Sequence, residues 1–353
     1  MTLPLPEAAN ADQLTSALRR VGLLDGGRVT SVTVDKSLPT LLSQIFWLRL
    51  SYDGNVPAAP PSLILKTELP NRPAAQWESG RKEVAFYTDV ASVTPPGLLP
   101  RCFDARHDTS TGAWHLLLED LSDSHMVATQ WPLPPSLAQC EKIVRTHARF
   151  KASWWDDPRL GKTVGTWPQS DGVQTWLQNL VKTYESFADS MGDRLSTERR
   201  GFYARLFDQA PRLVQRYLDR RRMTVIQGDS HFWNCFLPRE GLDDSSRLFD
   251  WDGWRVTFAA EDLAYMMAMH WYPELRQRAE PHLLDCFHQE LEAHGVADYD
   301  RRALQDDYRL GVLWMTTRPI WIQSFGIPPL IWWNHLERIH LAAEDLDCRE
   351  LLG

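Results

Sequence analysis

The sequence predicts an α+β protein with two lobes, the first rich in β-strands and the second mostly helical. Three observations lead to this prediction. The chain has 353 residues, which is long for one compact core and suits two lobes. Apolar and polar residues alternate with the period of a strand through much of the first third. From about residue 122 onward, apolar residues mostly recur with helical spacing.

The first lobe is predicted to span residues 1–121. Short segments rich in β-branched, aromatic or other apolar side chains predict its strands at residues 28–36, 43–52, 62–69 and 115–121. The third of these, SLILKTEL, carries a single lysine, Lys66. A helix is predicted at residues 77–91, and turn residues fill 53–62.

The second lobe is predicted to span residues 122–353, with the boundary at the strand end Glu119–Ser122. Helical periodicity predicts helices at residues 136–155, 172–191, 197–221 and most of 260–350. Short apolar segments predict a small hairpin-like sheet in this lobe from residues 223–229, 234–238 and 247–252.

Net charge, apolar runs and cysteine spacing argue against nucleic-acid binding, a membrane span and secretion. The net charge of −8 argues against a nucleic-acid-binding surface, which needs a clustered basic face. No run of 18 apolar residues predicts a membrane span, and the N-terminus lacks the basic segment and long apolar run of a signal peptide. The five cysteines are scattered and lack CxxC spacing, so we expect a reduced, cytoplasmic protein.

Polar and charged side chains stand at the ends of apolar segments. Lys66 lies in a strand, Glu83 on the following helix, and Asp229, Asn234 and Asp250 lie in or after short strands. Phosphoryl transfer from ATP needs groups of these kinds: a cation for the phosphates, a carboxylate that orients it, an aspartate for the attacking hydroxyl, and oxygen ligands for magnesium. These side chains therefore suggest a phosphotransferase.

The same segments resemble a known superfamily. Residues 227–234 (QGDSHFWN) and 249–251 (FDW) are similar to the H-G-D-x-x-x-x-N motif and the following IDW or IDF motif of the aminoglycoside phosphotransferases and choline kinases. The spacings of five between Asp229 and Asn234 and of twenty-one between Asp229 and Asp250 match. LILKTE, RKEVAFY, LLLEDLS and AAEDLAYMMA are also similar to family segments. LLLEDLS and residues 294–313 resemble most the ecdysteroid-kinase-like branch and its bacterial relatives.

The resemblance implies a two-lobed protein-kinase-like fold and a role for each residue. Asp229 would be the catalytic base, and Asn234 and Asp250 would bind Mg²⁺. Lys66 would contact the α- and β-phosphates of ATP, with Glu83 orienting it.

Further positions follow from the same resemblance. The backbone of Glu119 and Leu121 would meet the adenine, and Asp262 would brace the catalytic loop. The sequence departs from the family pattern at Gln227, where the family keeps a histidine, and in residues 35–46, a phosphate loop without glycine. Ser43 or its neighbours would cover the phosphates there.

The function predicted is transfer of the γ-phosphoryl group of ATP to a hydroxyl of a small-molecule acceptor. A nucleotide-binding pseudokinase with a regulatory role is the alternative, although such proteins usually lose one of the residues named above. A hydrolase with paired carboxylates, as in glycosidases, would leave Lys66 and Glu83 without a role.

The sixteen tryptophans allow two interpretations. Aromatic side chains dominate buried area, so most are expected in the core. Trp332 and Trp333 are adjacent on a predicted helix and cannot both face one core. One of them, together with Trp271 or Trp314, would then line an acceptor cleft suited to an apolar, ring-shaped or quaternary ammonium acceptor.

Overall fold

The computed structural model describes residues 5–54, 56–69 and 77–353. The chain divides into two compact units. The first unit comprises Met1–Val127 and Cys235–Trp254, and the second comprises Ala128–Asn234 and Arg255–Gly353. The boundary between lobes at residues 121 and 122 stays a prediction.

The first unit is built on a five-stranded antiparallel sheet with the order β1-β2-β3-β5-β4. Its strands are β1 (Arg28–Pro39), β2 (Ser43–Asp53), β3 (Ser62–Glu68), β4 (Cys102–His107) and β5 (Trp114–Glu119). Alternate residues of β3 are buried, so Leu63 and Leu65 face the core while Lys66 points to the opposite face.

One face of this sheet is covered by helix α1 (Ala11–Arg20). The helix begins at Asn10, whose side chain accepts a hydrogen bond from the N–H of Gln13. Its buried residues Leu14 and Leu18 are one turn apart and pack with the sheet residues in a single apolar cluster.

Helix α2 (Trp77–Ala85) continues into a wide helical turn, Phe86–Val90. A second sheet of the first unit has the order β6-β8-β9 and consists of β6 (His125–Val127), β8 (Cys235–Pro238) and β9 (Arg247–Leu248). It holds the segment that leads to Asp250.

The second unit is mostly helical. Its helices are α3 (Leu137–Ser153), α4 (Ser170–Met191), α5 (Thr197–Leu213), α6 (Gln215–Leu218), α7 (Ala260–Leu263), α8 (Pro273–Ala293), α9 (Arg301–Met315), α10 (Arg318–Ser324) and α11 (Pro329–Asp345). Two short antiparallel strands, β7 (Thr224–Ile226) and β10 (Arg255–Thr257), pair with each other. The predicted α+β fold class is confirmed. Over the described residues, no helix is both long enough and apolar enough to cross a membrane.

The small sheets differ from the single hairpin-like sheet predicted from the sequence. β7 pairs with β10, whereas β8 pairs with β6 and β9. The predicted strand at 223–229 ends at Ile226 because Gly228 has a φ of 81°, which turns the chain. The predicted strand at 247–252 ends at Leu248, and Asp250 likewise has a φ of 66°. Both acids of interest therefore lie in turns directly after a strand.

Candidate active site

Three charged side chains meet in the first unit. The ammonium of Lys66 donates to both carboxylate oxygens of Glu83, each 2.8 Å away, and lies 2.7 Å from Oδ1 of Asp250. The side chains of Lys66 and Glu83 are only 12% and 2% exposed, whereas Asp250 is 37% exposed. The lysine therefore sits between a buried carboxylate on α2 and a more accessible one in a turn.

Burial and neighbouring charges shift the pKa values of Lys66 and Glu83 in opposite directions. Burial lowers the pKa of Lys66, but the carboxylates of Asp250 and Glu83 outweigh it and leave that pKa raised. Burial raises the pKa of Glu83 despite the opposing charge of Lys66. The lysine is thus held as a cation, and the charge of Glu83 depends on its contact with that cation.

Aromatic packing fixes the segment that carries Asp250. The ring of Trp251 stacks on Phe86, with centroids 3.9 Å apart and planes 6° from parallel. The indole N–H of Trp254 donates to the carbonyl of Lys82 at 2.7 Å. Because Phe86 and Lys82 flank Glu83 along the chain, these contacts tie the Asp250 turn to the helix that carries Glu83.

The segment after β5 forms a turn. The carbonyl of Leu121 accepts from the N–H groups of Ser124 and His125, at 3.2 and 2.8 Å. The N–H of Glu119 donates to the carbonyl of Arg101, and its Oε2 accepts from the N–H of Arg101 at 3.1 Å. The adenine contact of Glu119 and Leu121 stays a prediction.

The glycine-free connection between β1 and β2 is held by a hydroxyl. Oγ1 of Thr40 accepts from the N–H groups of Leu42 and Ser43 at 3.3 and 3.0 Å. It also lies 2.9 Å from Oγ of Ser43, which is buried. A threonine side chain thus closes this tight turn.

Asp229 and Asn234 meet in the second unit. Nδ2 of Asn234 donates to the backbone carbonyl of Asp229 at 2.9 Å, which leaves Oδ1 as the atom that the amide can offer to a cation. The hydroxyl of Tyr265 donates to Oδ1 of Asp229. His231 Nε2 lies 3.6 Å from Oδ2 of the same carboxylate.

The carboxylate of Asp262 holds the main chain of this loop in place. Its carboxylate oxygens accept from the N–H groups of Gln227 and Gly228, each at 2.9 Å, and its backbone carbonyl accepts from the Ser230 hydroxyl at 2.8 Å. The ammonium of Lys151 lies 2.8 Å from the same carboxylate. These contacts match the bracing role that the resemblance implied for Asp262.

The brace is a buried ion pair. Burial raises the pKa of Asp262, but Lys151 and the neighbouring hydrogen bonds outweigh it and lower that pKa to about 2. Burial lowers the pKa of Lys151, partly offset by Asp262. Removing one member would leave the other buried and uncompensated.

Positive and imidazole groups surround the Tyr265 side chain. The Arg318 guanidinium lies 5.7 Å from the centre of its ring, and His270 packs edge-on against it. Burial lowers the pKa of His270 well below its usual value, and burial with Arg338 lowers the pKa of His335 to about 4. Both imidazoles are therefore neutral at pH 7.

The sequence did not identify Tyr265, Lys151 or Arg318. Tyr265 lies three residues after Asp262 and so projects from nearly the same side of its helix, which is a signal that could have found it. Lys151 and Arg318 come from α3 and α10, and only the tertiary fold brings them to the loop.

The tryptophans that were candidates for an acceptor cleft lie in different parts of the second unit. Trp271 is buried and stacks on Phe232 at 4.9 Å, and Trp332 is buried against Phe187. Trp314 lines a cavity of the second unit. Of the tryptophans proposed for an acceptor cleft, only Trp314 lines that cavity in the described residues.

Solved structures share this fold. A protein named as an aminoglycoside phosphotransferase from Ralstonia eutropha JMP134 superposes with a TM-score of 0.60 and 14% identity, over 96% of this chain and 97% of that one. The GDP complex of aminoglycoside 2′-phosphotransferase-IIIa gives 0.51 and 10%, over 97% and 99%. A choline/ethanolamine kinase family protein from Mesorhizobium loti gives 0.52 and 12%, over 97% and 97%.

The sequence comparison identifies the family. No curated protein matches the chain. The model of the ecdysteroid kinase-like family matches residues 41–296, which includes Lys66, Glu83, Asp229, Asn234 and Asp250. This match covers well over half of the chain and agrees with the kinase-like fold and with the resemblance seen in the motifs. The chain therefore belongs to the ecdysteroid kinase-like family.

Proposed function

We propose that the chain is a small-molecule kinase that uses ATP and Mg²⁺ to phosphorylate a hydroxyl group of its acceptor. The observation that carries the proposal is the ammonium of Lys66, held between Glu83 and Asp250 at hydrogen-bond distance. Phosphoryl transfer depends on positioning and charge stabilisation, and a buried, fixed cation supplies both.

In this proposal the first unit binds the nucleotide. Lys66 contacts the α- and β-phosphates, and Glu83 keeps the ammonium in place through its two 2.8 Å contacts. The backbone of Glu119 and Leu121 meets the adenine. The GDP complex of one structural neighbour supports a nucleotide-binding role for this fold.

Asp250 and Asn234 are the proposed Mg²⁺ ligands. Both offer the oxygen atoms that magnesium prefers, and the orientation of the Asn234 amide is set by its bond to the Asp229 carbonyl. Bound with the nucleotide, magnesium would neutralise phosphate charge. The partial exposure of the Asp250 side chain, 37%, supports this role.

Asp229 is the proposed base. The acceptor hydroxyl gives its proton to the Asp229 carboxylate while its oxygen forms a bond to the γ-phosphorus, and ADP leaves with the electrons of the broken P–O bond. The Tyr265 hydroxyl fixes Oδ1 of that carboxylate, so the orientation of Oδ2 is set as well. We further propose a cytoplasmic location, which the five free thiols support.

The test is a phosphorylation screen of hydroxylated metabolites with Mg²⁺ and either ATP or GTP, read by mass spectrometry and by ADP or GDP release. We expect a phosphate adduct on at least one acceptor. Asp229→Asn should remove most transfer and leave nucleotide binding nearly intact. Asp250→Ala should abolish the magnesium-dependent part of nucleotide binding. Nucleotide binding without transfer to any acceptor would favour a pseudokinase.

A further inference from the structure

A cavity of about 550 Å³ opens in the second unit. It lies among α4, α9, α10 and the strand β10, and its wall includes the aromatic side chains of Trp176, Tyr217, Trp314 and Trp321. Trp176 and Trp314 contact each other, with ring centres 5.3 Å apart. A cavity of this volume with several aromatic walls suits a drug-sized ligand with an apolar, ring-shaped body.

The cavity is linked to the proposed base through two side chains. Arg318 lines it, and the guanidinium of Arg318 lies 5.7 Å from the ring of Tyr265. The Tyr265 hydroxyl in turn donates to Asp229. Two contacting side chains, Arg318 and Tyr265, thus lead from the cavity wall to the Asp229 carboxylate, and an acceptor in the cavity would extend its hydroxyl past them to reach the base.

The charged groups in the wall are mostly positive. Arg255 and Arg318 both line the cavity, and Glu261 is the only carboxylate among its described lining residues. Glu261 already forms an ion pair with Arg255. Burial lowers the pKa of Arg255, and the nearby charge of Arg318 lowers it further. The two guanidinium groups thus repel each other, while the carboxylates of Glu261 and Asp262 both act on Arg255.

Arg318 also occupies the aromatic faces. Its guanidinium lies 4.2 Å from the ring centre of Trp321, in a cation–π contact. Its Nε is buried and has no hydrogen-bond partner among the described residues. A ligand ammonium would find the Trp321 ring already in contact with Arg318, and the positive charge of Arg318 would repel it. An anionic oxygen would instead gain a charge-assisted hydrogen bond.

We infer that this cavity binds the apolar, ring-shaped body of the phosphoryl acceptor, and that the acceptor carries a carboxylate that pairs with Arg318. This inference deepens the proposed kinase function and rests on it. It disfavours the quaternary ammonium acceptor that the sequence left open.

The test compares two probes that share a ring system and a hydroxyl but differ in charge: 6-(hydroxymethyl)-2-naphthoate and 6-(aminomethyl)-2-naphthalenemethanol. Binding to the full chain is measured by calorimetry and by quenching of tryptophan fluorescence, without nucleotide. We expect the naphthoate to bind at least about tenfold more tightly, the effect of one charge-assisted hydrogen bond. Equal or tighter binding of the amine would overturn the inference.

Two variants locate the binding. Gly172 lines the cavity in the first turn of α4, and a Cβ there meets nothing within 4 Å, so Gly172→Leu should fill space without strain and abolish naphthoate binding. Gly201 is exposed on α5 with equally open surroundings, and Gly201→Leu is the matched control that should bind normally. Arg318→Gln should remove the preference for the naphthoate over the amine.

The outcomes separate this inference from the proposed function. Weak binding of both probes by a protein that phosphorylates other alcohols, or naphthoate binding that survives Gly172→Leu, would overturn the inference alone. If the naphthoate binds in the cavity but the protein transfers phosphate to no acceptor, both the kinase function and the role of the cavity as acceptor site would be overturned. Phosphorylation of the naphthoate, lost in Gly172→Leu, would support both.

Discussion

The hydroxyl of Tyr265 donates a hydrogen bond to Oδ1 of Asp229, the proposed base. Burial, together with the Asp229 charge, raises the pKa of Tyr265 well above its usual value, so the phenol stays protonated and remains a donor. Tyr265 follows α7, whose Asp262 accepts a hydrogen bond from the N–H of Gln227, two residues before Asp229. One helical segment thus holds both the main chain just before Asp229 and the carboxylate of Asp229 itself.

Tyr265→Phe should lower kcat by about ten- to hundredfold, since a hydrogen bond to a charged group contributes about 1.5–3 kcal/mol. The KM for ATP should stay within about twofold, because the change affects the positioning of the base rather than nucleotide binding. Steady-state kinetics checks this. Tyr87→Phe is the matched control, because the buried Tyr87 hydroxyl has no hydrogen-bond partner in the described structure. A raised KM for ATP with unchanged kcat would contradict the positioning role.

Lys66→Met should destabilise the protein, and more so as the pH rises. The variant leaves the carboxylate of Glu83 buried without its cation, a loss of about 3–5 kcal/mol. Because Lys66 lowers the pKa of Glu83 against the effect of burial, its removal raises that pKa further above 4.5. A raised pKa in the folded state contributes stability at low pH that is lost as the pH rises through it.

Urea unfolding at pH 5 and pH 8 measures this effect. We expect the free energy of unfolding of Lys66→Met to fall between the two pH values by more than that of the wild type. The double variant Lys66→Met/Glu83→Gln should lose this extra pH dependence, because its buried amide does not ionise. Equal destabilisation of Lys66→Met at both pH values would show that Glu83 is not the group that responds.

Long alternating segments made most of the large sheet predictable, although its strand β4 (Cys102–His107) was missed. β1, β2 and β3 overlap the predicted strands because each has enough residues to show a two-residue period. β10 was missed because its length, Arg255–Thr257, is too short for any period, and it exists only through pairing with β7. Helix α1 was also missed, although the cap at Asn10 was a readable signal.

The place of Lys66 in a predicted strand and of Glu83 on the following helix, together with the family resemblance, named both residues as candidates. Their side chains lie 2.8 Å apart, while their roles stay predictions. Lys151 and Asp262 were not linked in the sequence. Their contact depends on the packing of α3 beside the loop, and an ion pair between distant segments leaves no local pattern in the chain.

The free energy of unfolding should fall on acidification below pH 6.5. Burial, together with Arg199 and Arg349, lowers the pKa of His340 to about 3. The unfolded chain therefore takes up a proton near pH 6.5 that the folded protein does not bind, and stability is lost as the pH falls toward 3. From pH 7.5 to 5, His340 alone accounts for about 2 kcal/mol.

Urea unfolding of His340→Gln tests this contribution. The variant should lose about 2 kcal/mol less than the wild type over that pH interval, because an amide does not titrate there. The amide can still reach the Tyr203 hydroxyl, which lies 3.1 Å from Nε2 of His340. His282→Gln, at an exposed position, reports the effect of the substitution itself. The same pH slope in His340→Gln and wild type would contradict the assignment.

Gln227→His should keep kcat within about threefold of the wild type, less than 1 kcal/mol in barrier height. Gln227 is fully buried at the position where the family keeps a histidine. The loop is held by the N–H groups of Gln227 and Gly228 on Asp262, and these main-chain bonds survive the substitution. An imidazole can donate and accept hydrogen bonds as an amide does.

Gln227→Leu is the matched control, because leucine has a similar size and neither donates nor accepts hydrogen bonds. It should lower kcat by about tenfold or more and lower the melting temperature. Polar groups around position 227 would be left buried without a hydrogen-bond partner, at a cost of about 1–3 kcal/mol in stability. If Gln227→His loses as much turnover as Gln227→Leu, the loop needs the amide itself. In that case the Gln227 amide, at the position of the family histidine, makes hydrogen bonds that an imidazole cannot make in this chain.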